Sequence, residues 1–164
     1  SATRLLLIGP DARGLWAAAS VLSIKYKELA AGRAEAGQSA TVCLQVHGGT
    51  KLRRGMVLVD ASSSAPPCAS WEFAASATAI QLPNPIAVGA ELVLYCLGVK
   101  QAARVLWVEG ARLEQGCTRS LCFRFVHAAE HLLIGAPCIL REGSAGAARL
   151  GVAVGHISTV TRTA

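Results

Sequence analysis

The chain has 164 residues, of which 52% are apolar, 16% charged and only 5% aromatic, with a formal net charge of +6. That is ample for a core of Leu, Val, Ile and Ala, and the low charge suggests a surface that expects a neighbour. It excludes a membrane-spanning segment, because the longest apolar runs, such as Leu92 to Leu97, are far short of the ~20 residues a bilayer requires. It also excludes a secretory signal, since the apolar stretch at Arg4 to Ile8 is cut at once by Gly9-Pro10-Asp11.

In chain order, short apolar runs broken by turn residues predict strands near Arg4–Ile8, Ser20–Tyr26, Ser39–Val46 and Gly55–Val59. Further strands are expected near Trp71–Gln81, Glu91–Leu97, Ala103–Val108, Ser120–Val126, Pro137–Arg141 and Val152–Val160. Alternation is clearest where Leu121, Phe123 and Phe125 interleave with Cys122, Arg124 and Val126. Only Leu15–Ser20 and Glu28–Ala36 have helical composition, and both are short. Turns fall at Gly48-Gly49, Pro66-Pro67, Pro83-Asn84-Pro85, Gly110 and Gly143–Gly146. About ten residues per strand, with no helical crossovers, predicts an all-β fold of two consecutive antiparallel barrels. The small polar and proline-rich stretch at residues 63–70 reads as a linker. It separates a first unit at 1–62, short for a barrel and expected to lack its leading strands, from a second at 71–164. The start at Ser1, in place of Met, points to a trimmed piece of a longer polypeptide.

The six cysteines form no C-x-x-C pair and sit mostly within apolar runs. Buried free thiols in a reducing, cytoplasmic setting account for them. Basic residues are spread thinly: residues 1–62 carry eight Lys/Arg against four Asp/Glu, and residues 63–164 carry eight against six. A diffuse excess of this kind is compatible with a nucleic-acid partner without requiring one. His127-Ala-Ala-Glu130-His131 matches the H-x-x-E-H pattern of inverted zinc peptidases. That chemistry needs both histidines on one helical face, and the segment follows a strand and runs into Leu-Leu-Ile-Gly with no room for a helix. A strand-to-loop corner with no metal is expected.

Several blocks together resemble the elongation factor Tu superfamily of translational GTPases, in the branch of eukaryotic GTP-binding proteins 1 and 2. They are LLLIGPD (Leu5–Asp11), SIKYK (Ser23–Lys27), AGQSATVCL (Ala36–Leu44) and LRRGMVLV (Leu52–Val59), then ASWEFAASA (Ala69–Ala77), LGVKQAARVLWVE (Leu97–Glu109) and FRFVHAAEHLLIGAPCILREG (Phe123–Gly143). The resemblance implies part of domain II followed by domain III. It also implies a parent GTPase, with GTP and Mg²⁺ held by a G domain outside these residues. The chain itself has no G-x-x-x-x-G-K-[ST] loop, so no nucleotide-binding, catalytic or cofactor residues are expected in it. By resemblance the partners are the chain's own G domain and tRNA, ribosome or RNA-decay machinery; the alternative is a scaffold that contacts protein only. Where the bacterial factor holds the amino group with an acidic residue and an Asp-Asn pair, this chain has Ser23 and Gln38-Ser39, which predicts a weaker grip on a charged amine.

The candidate RNA or partner contacts are Lys25, Tyr26, Lys27, Arg53, Arg54, Lys100 and Arg149. Tyr26 offers a stacking surface between two lysines. The same trio also fits an edge strand protected by lysines. Around Arg149 the family's short basic turn is lengthened by a Ser-Ala-Gly-Ala-Ala insertion.

Overall fold

A computed structural model describes residues 5–62, 67–142 and 151–161. Arg149 and the Ser-Ala-Gly-Ala-Ala insertion lie outside the described residues, as does part of the 63–70 linker. Among those described, no residue is in an α-helix, and every strand pairing is antiparallel.

The first unit contains β1 (Leu6–Gly9), β2 (Ala17–Tyr26), β3 (Leu29–Ala31), β4 (Ala40–Val46) and β5 (Val57–Asp60). They form an open sheet in the order β3-β2-β1-β5, with β4 also pairing with β2. Both helical expectations are corrected here. Leu15–Ser20 feeds a long strand because Ala19 is clamped between Leu6 of β1 and Val46 of β4, so sheet pairing overrides the helical preference of alanine. Glu28–Ala36 instead makes the short β3, because Lys27 and Glu28 reverse the chain and Gly32 and Gly37 interrupt it.

Pairing register brings Ile24 opposite Val42, Val21 opposite Leu44 and Ile8 opposite Leu58, so one face of this sheet is apolar. That face is thinly covered: Val21, Val42 and Leu58 remain over a third exposed.

The second unit is a closed six-stranded barrel, β11-β6-β13-β12-β8-β9. Its strands are β6 (Glu72–Gln81), β8 (Glu91–Cys96), β9 (Val99–Val108), β11 (Thr118–Phe125), β12 (Pro137–Glu142) and β13 (Val152–Thr161). β7 (Ile86–Ala87) and β10 (Arg112–Leu113), which the sequence did not suggest, form a separate two-stranded ribbon. β9 begins before the expected Ala103 because the turn at Leu97-Gly98 is only two residues long. Alternation is strict in β6, where Phe73, Ala75, Ala77 and Ala79 face inward. The small alanines leave room for Leu121 directly opposite Ala75. All three phenylalanines converge: Phe73 stacks on Phe123 at 5.1 Å and meets Phe125 at 4.8 Å between ring centres.

Two core thiols follow from this packing. Burial pushes Cys138 from an ordinary 9.0 to about 11, with the nearby Cys96 adding to the shift, and burial raises Cys96 as well. The fold therefore favours the protonated thiol. Its stabilising contribution is complete below about pH 9 and is lost as pH rises towards 11. Native protein at neutral pH should react with a maleimide at the exposed Cys43 well before Cys96 or Cys138. Mass mapping after a short pulse checks this, and early labelling of Cys138 would contradict it.

Candidate functional site

Polar chemistry concentrates at the junction of the two units. The turn before β5 projects Arg53, and the loop after β11 projects Glu130. Arg53 Nη1 donates to Glu130 Oε1 at 2.8 Å and Nη2 donates to Oε2 at 3.0 Å, a bidentate pair. The same Nη2 reaches the Ala129 carbonyl at 3.1 Å, and Nη1 reaches the Arg54 carbonyl at 3.1 Å. Glu130 also accepts from Gln101 Nε2 at 2.6 Å. Gln101 Oε1 in turn accepts the backbone N–H groups of His127 and Ala128 at 2.9 and 2.7 Å. With this many donors the hydrogen-bonding capacity of the buried carboxylate is met.

Backbone and ring contacts complete the junction. Ser70 and Glu130 exchange backbone hydrogen bonds at 2.9 and 3.0 Å, fastening the end of the connecting segment to the barrel. Trp16 meets His131 edge-on at 5.5 Å, and His131 Nδ1 lies 2.9 Å from the Cys68 carbonyl oxygen. Gly55, at φ 92, lies against this network; a Cβ there would stand 3.1 Å from Glu130 Oε2.

The H-x-x-E-H segment is thus a corner, outside any helix. Glu130 is held by Arg53 and Gln101, while His127 is exposed. Among the described residues no group of three or more His, Cys, Asp or Glu could hold a metal ion.

The contact candidates fall into two groups. Lys25, Tyr26 and Lys27 close the far end of β2, roughly 30 Å along the strand from Trp16 at about 3.3 Å per residue. The edge-strand reading of this trio is corrected: Lys25 pairs with Ala30 on one side and Thr41 on the other, so it lies inside the sheet. Its side chain is exposed, and Lys27 Nζ sits 5.4 Å from the Tyr26 ring centre. The second group is at the junction. Arg53 is turned inward onto Glu130, whereas Arg54 and Lys100 are exposed, the latter 5.4 Å over Tyr95. The β8–β9 hairpin tip approaches the arginine turn closely, with 3.9 Å between a Cβ placed on Gly98 and the Gly55 Cα.

Sequence reasoning missed Glu130 and Gln101 as structural anchors. The one available signal was a lone carboxylate in an apolar loop, which needs a cation somewhere to be buried.

An antiparallel sheet joined to a closed six-stranded barrel is consistent with domains II and III of elongation factor Tu-type GTPases. The S. cerevisiae Ski7 GTPase-like domain, solved bound to GTP, superposes with a TM-score of 0.76 over 95% of this chain and 38% of its own, at 13% identity. By sequence the chain is homologous to GTP-binding protein 1 of Xenopus laevis, 32% identical over 139 residues, which is 85% of this chain and 21% of that protein. GTP-binding protein 2 of Mus musculus and of Homo sapiens are each 28% identical over 156 residues, 94% of this chain and 25% of theirs. The chain therefore spans a fifth to a quarter of the length of these relatives. No family model matches it.

Proposed function

We propose that this chain is a non-catalytic β-domain pair of a GTP-binding protein of the elongation factor Tu type. In this reading GTP and Mg²⁺ are held by a G domain outside these residues. The apolar face of the first sheet is covered by further strands of the same polypeptide, completing a domain II-like barrel. A cytoplasmic location agrees with the six free thiols. Among the described residues, no helix is long and apolar enough to cross a membrane.

RNA contact falls to the β2–β3 hairpin, and one observation carries this assignment. Its two-residue turn consists of Lys27 at φ 48 and Glu28 at φ 65. Such turns normally take Asn-Gly, and a left-handed residue with a side chain costs roughly 1–2 kcal/mol. Strain of this kind collects at functional positions. Here it supports a role in which Lys27 is displayed beside Tyr26 for a phosphate and a stacked base.

Lys25→Ala/Lys27→Ala should weaken tRNA binding about tenfold and flatten the log–log salt dependence by about 1.5, two phosphate contacts' worth. Filter binding across a salt series measures both. Arg54→Ala/Lys100→Ala tests the junction group in the same assay. The scaffold reading, favoured by the separation of the two cationic groups, predicts no salt-sensitive RNA binding in any of these proteins. That result would remove the hairpin assignment.

A further inference from the structure

We propose that the outer wall formed by β8, β9, β11 and β6 is a docking surface for a partner protein's segment that carries a carboxylate between apolar side chains. Pairing register sets four charges in one row across this wall: Glu91 opposite Arg104, Arg104 opposite Arg124, and Arg124 opposite Glu72. The two arginines are direct cross-strand neighbours, about 5 Å apart at Cβ, where like charges destabilise a sheet. Each is drawn outward by one glutamate, Arg124 at 2.7 Å and Arg104 at 3.6 Å. Both arginine side chains stay more than half exposed, at 55% and 60%, and each guanidinium carries N–H groups beyond the one paired with its glutamate, with Arg124 also lying 5.7 Å over the Trp71 ring. Between them lies a hollow of about 310 Å³ lined by Arg104, Leu106, Arg124, Phe125 and Val126.

A second feature of the same wall is independent of charge. The β9–β11 register slips between Cys122 and Phe123, which pair with Trp107 and Val105, so Leu106 is left as the extra residue of a β-bulge. In an unbroken strand either Leu106 or Trp107 would turn inward. The bulge sends both to solvent, at 41% and 49% exposure, beside Val126 at 37%. Exposing a Trp and a Leu together on an otherwise regular barrel wall builds an apolar border around the arginine pair.

Charge selects the occupant. Each arginine is already paired with one glutamate, so the row offers one gap between two guanidinium groups and no run of cations for a phosphate backbone to follow. A single carboxylate seated between the guanidinium groups relieves their repulsion, and its apolar neighbours cover Leu106, Trp107 and Val126.

The test is calorimetric titration of the 164-residue chain with a short peptide of alternating Glu and Leu, alongside a Lys–Leu control and an oligouridine RNA. Arg104→Gln/Arg124→Gln should weaken Glu–Leu peptide binding about tenfold, the scale of two partly exposed ion pairs. Glu72→Gln/Glu91→Gln, which frees both guanidinium groups, should strengthen it. The Lys–Leu control should not bind. Equal affinity of both double variants for the Glu–Leu peptide, or binding of oligouridine that is lost in the arginine variant, would overturn the proposal.

Discussion

Arg53→Ala should lower unfolding stability by about 3–5 kcal/mol, the scale for breaking one side of a buried, hydrogen-bonded ion pair. The size follows from what is left behind. The Glu130 side chain is only 4% exposed, against 25% for Arg53, so removing the guanidinium leaves a carboxylate in the interior with Gln101 as its remaining side-chain donor. The reverse change, Glu130→Gln, leaves a cation that can still reach water, so it should cost less. The double variant Arg53→Met/Glu130→Leu should recover much of the loss, since an apolar pair of similar volume avoids the desolvation penalty altogether. Urea unfolding of the three variants gives the values. Calorimetry supplies the more discriminating readout. With the clamp gone, the open sheet and the closed barrel should melt in separate transitions. A loss below about 1 kcal/mol in Arg53→Ala, with one transition kept, would mean that Trp16, His131 and the Ser70–Glu130 backbone pair join the units unaided.

Gly155→Ala should cost about 3 kcal/mol for a different reason. Gly155 is in mid-strand, opposite Ala77 on β6 and Cys138 on β12. A Cβ there would collide with the Ser76 carbonyl oxygen and stand 2.8 Å from the Ala77 Cα. Both obstacles are backbone in a closed barrel, so neither can swing aside, and β13 would have to move off β6 as a whole. Gly89→Ala is the matched control. Gly89 has φ 88 but nothing within 4 Å of its Cβ position, so only left-handed strain of about 1 kcal/mol is expected. Thermal melts of the two variants side by side separate loss of space from loss of conformational freedom. A Gly155 variant no worse than the Gly89 variant would show that the β6–β13 contact can widen.

Much of the all-β architecture was legible because a strand's signature is local. Phe73, Ala75, Ala77 and Ala79 alternate with Ala74, Ser76 and Thr78, and the structure buries the first set and turns the second towards solvent. The same logic located the ten main strands to within a few residues. It failed at Leu15–Ser20, where alanines carry no period and the outcome rested on Leu6 and Val46, outside that segment. It also missed β7 and β10, two residues each and too short for any periodic signal.

The contact candidates were less legible. Lys25, Tyr26 and Lys27 do lie together on one hairpin, because neighbours in sequence remain neighbours in a turn. Arg53 and Arg54 look equivalent as text, yet one is turned onto a buried carboxylate and the other faces water. Their difference arises from Glu130, 77 positions beyond Arg53.

What the chain's own order of residues determined, then, is the ten main strands, their inner and outer faces and the glycine and proline turns such as Gly48-Gly49 and Gly110. These depend on side-chain alternation and on backbone dihedral preference, both properties of a few consecutive residues. What only the tertiary structure decided is which charges are available to a partner. Closure of the barrel brought Arg104 beside Arg124, a bulge turned Leu106 and Trp107 outward together, and the junction withdrew Arg53 from the surface. Ion pairing and burial depend on distance in space, which pairing across the sheets sets and local sequence does not.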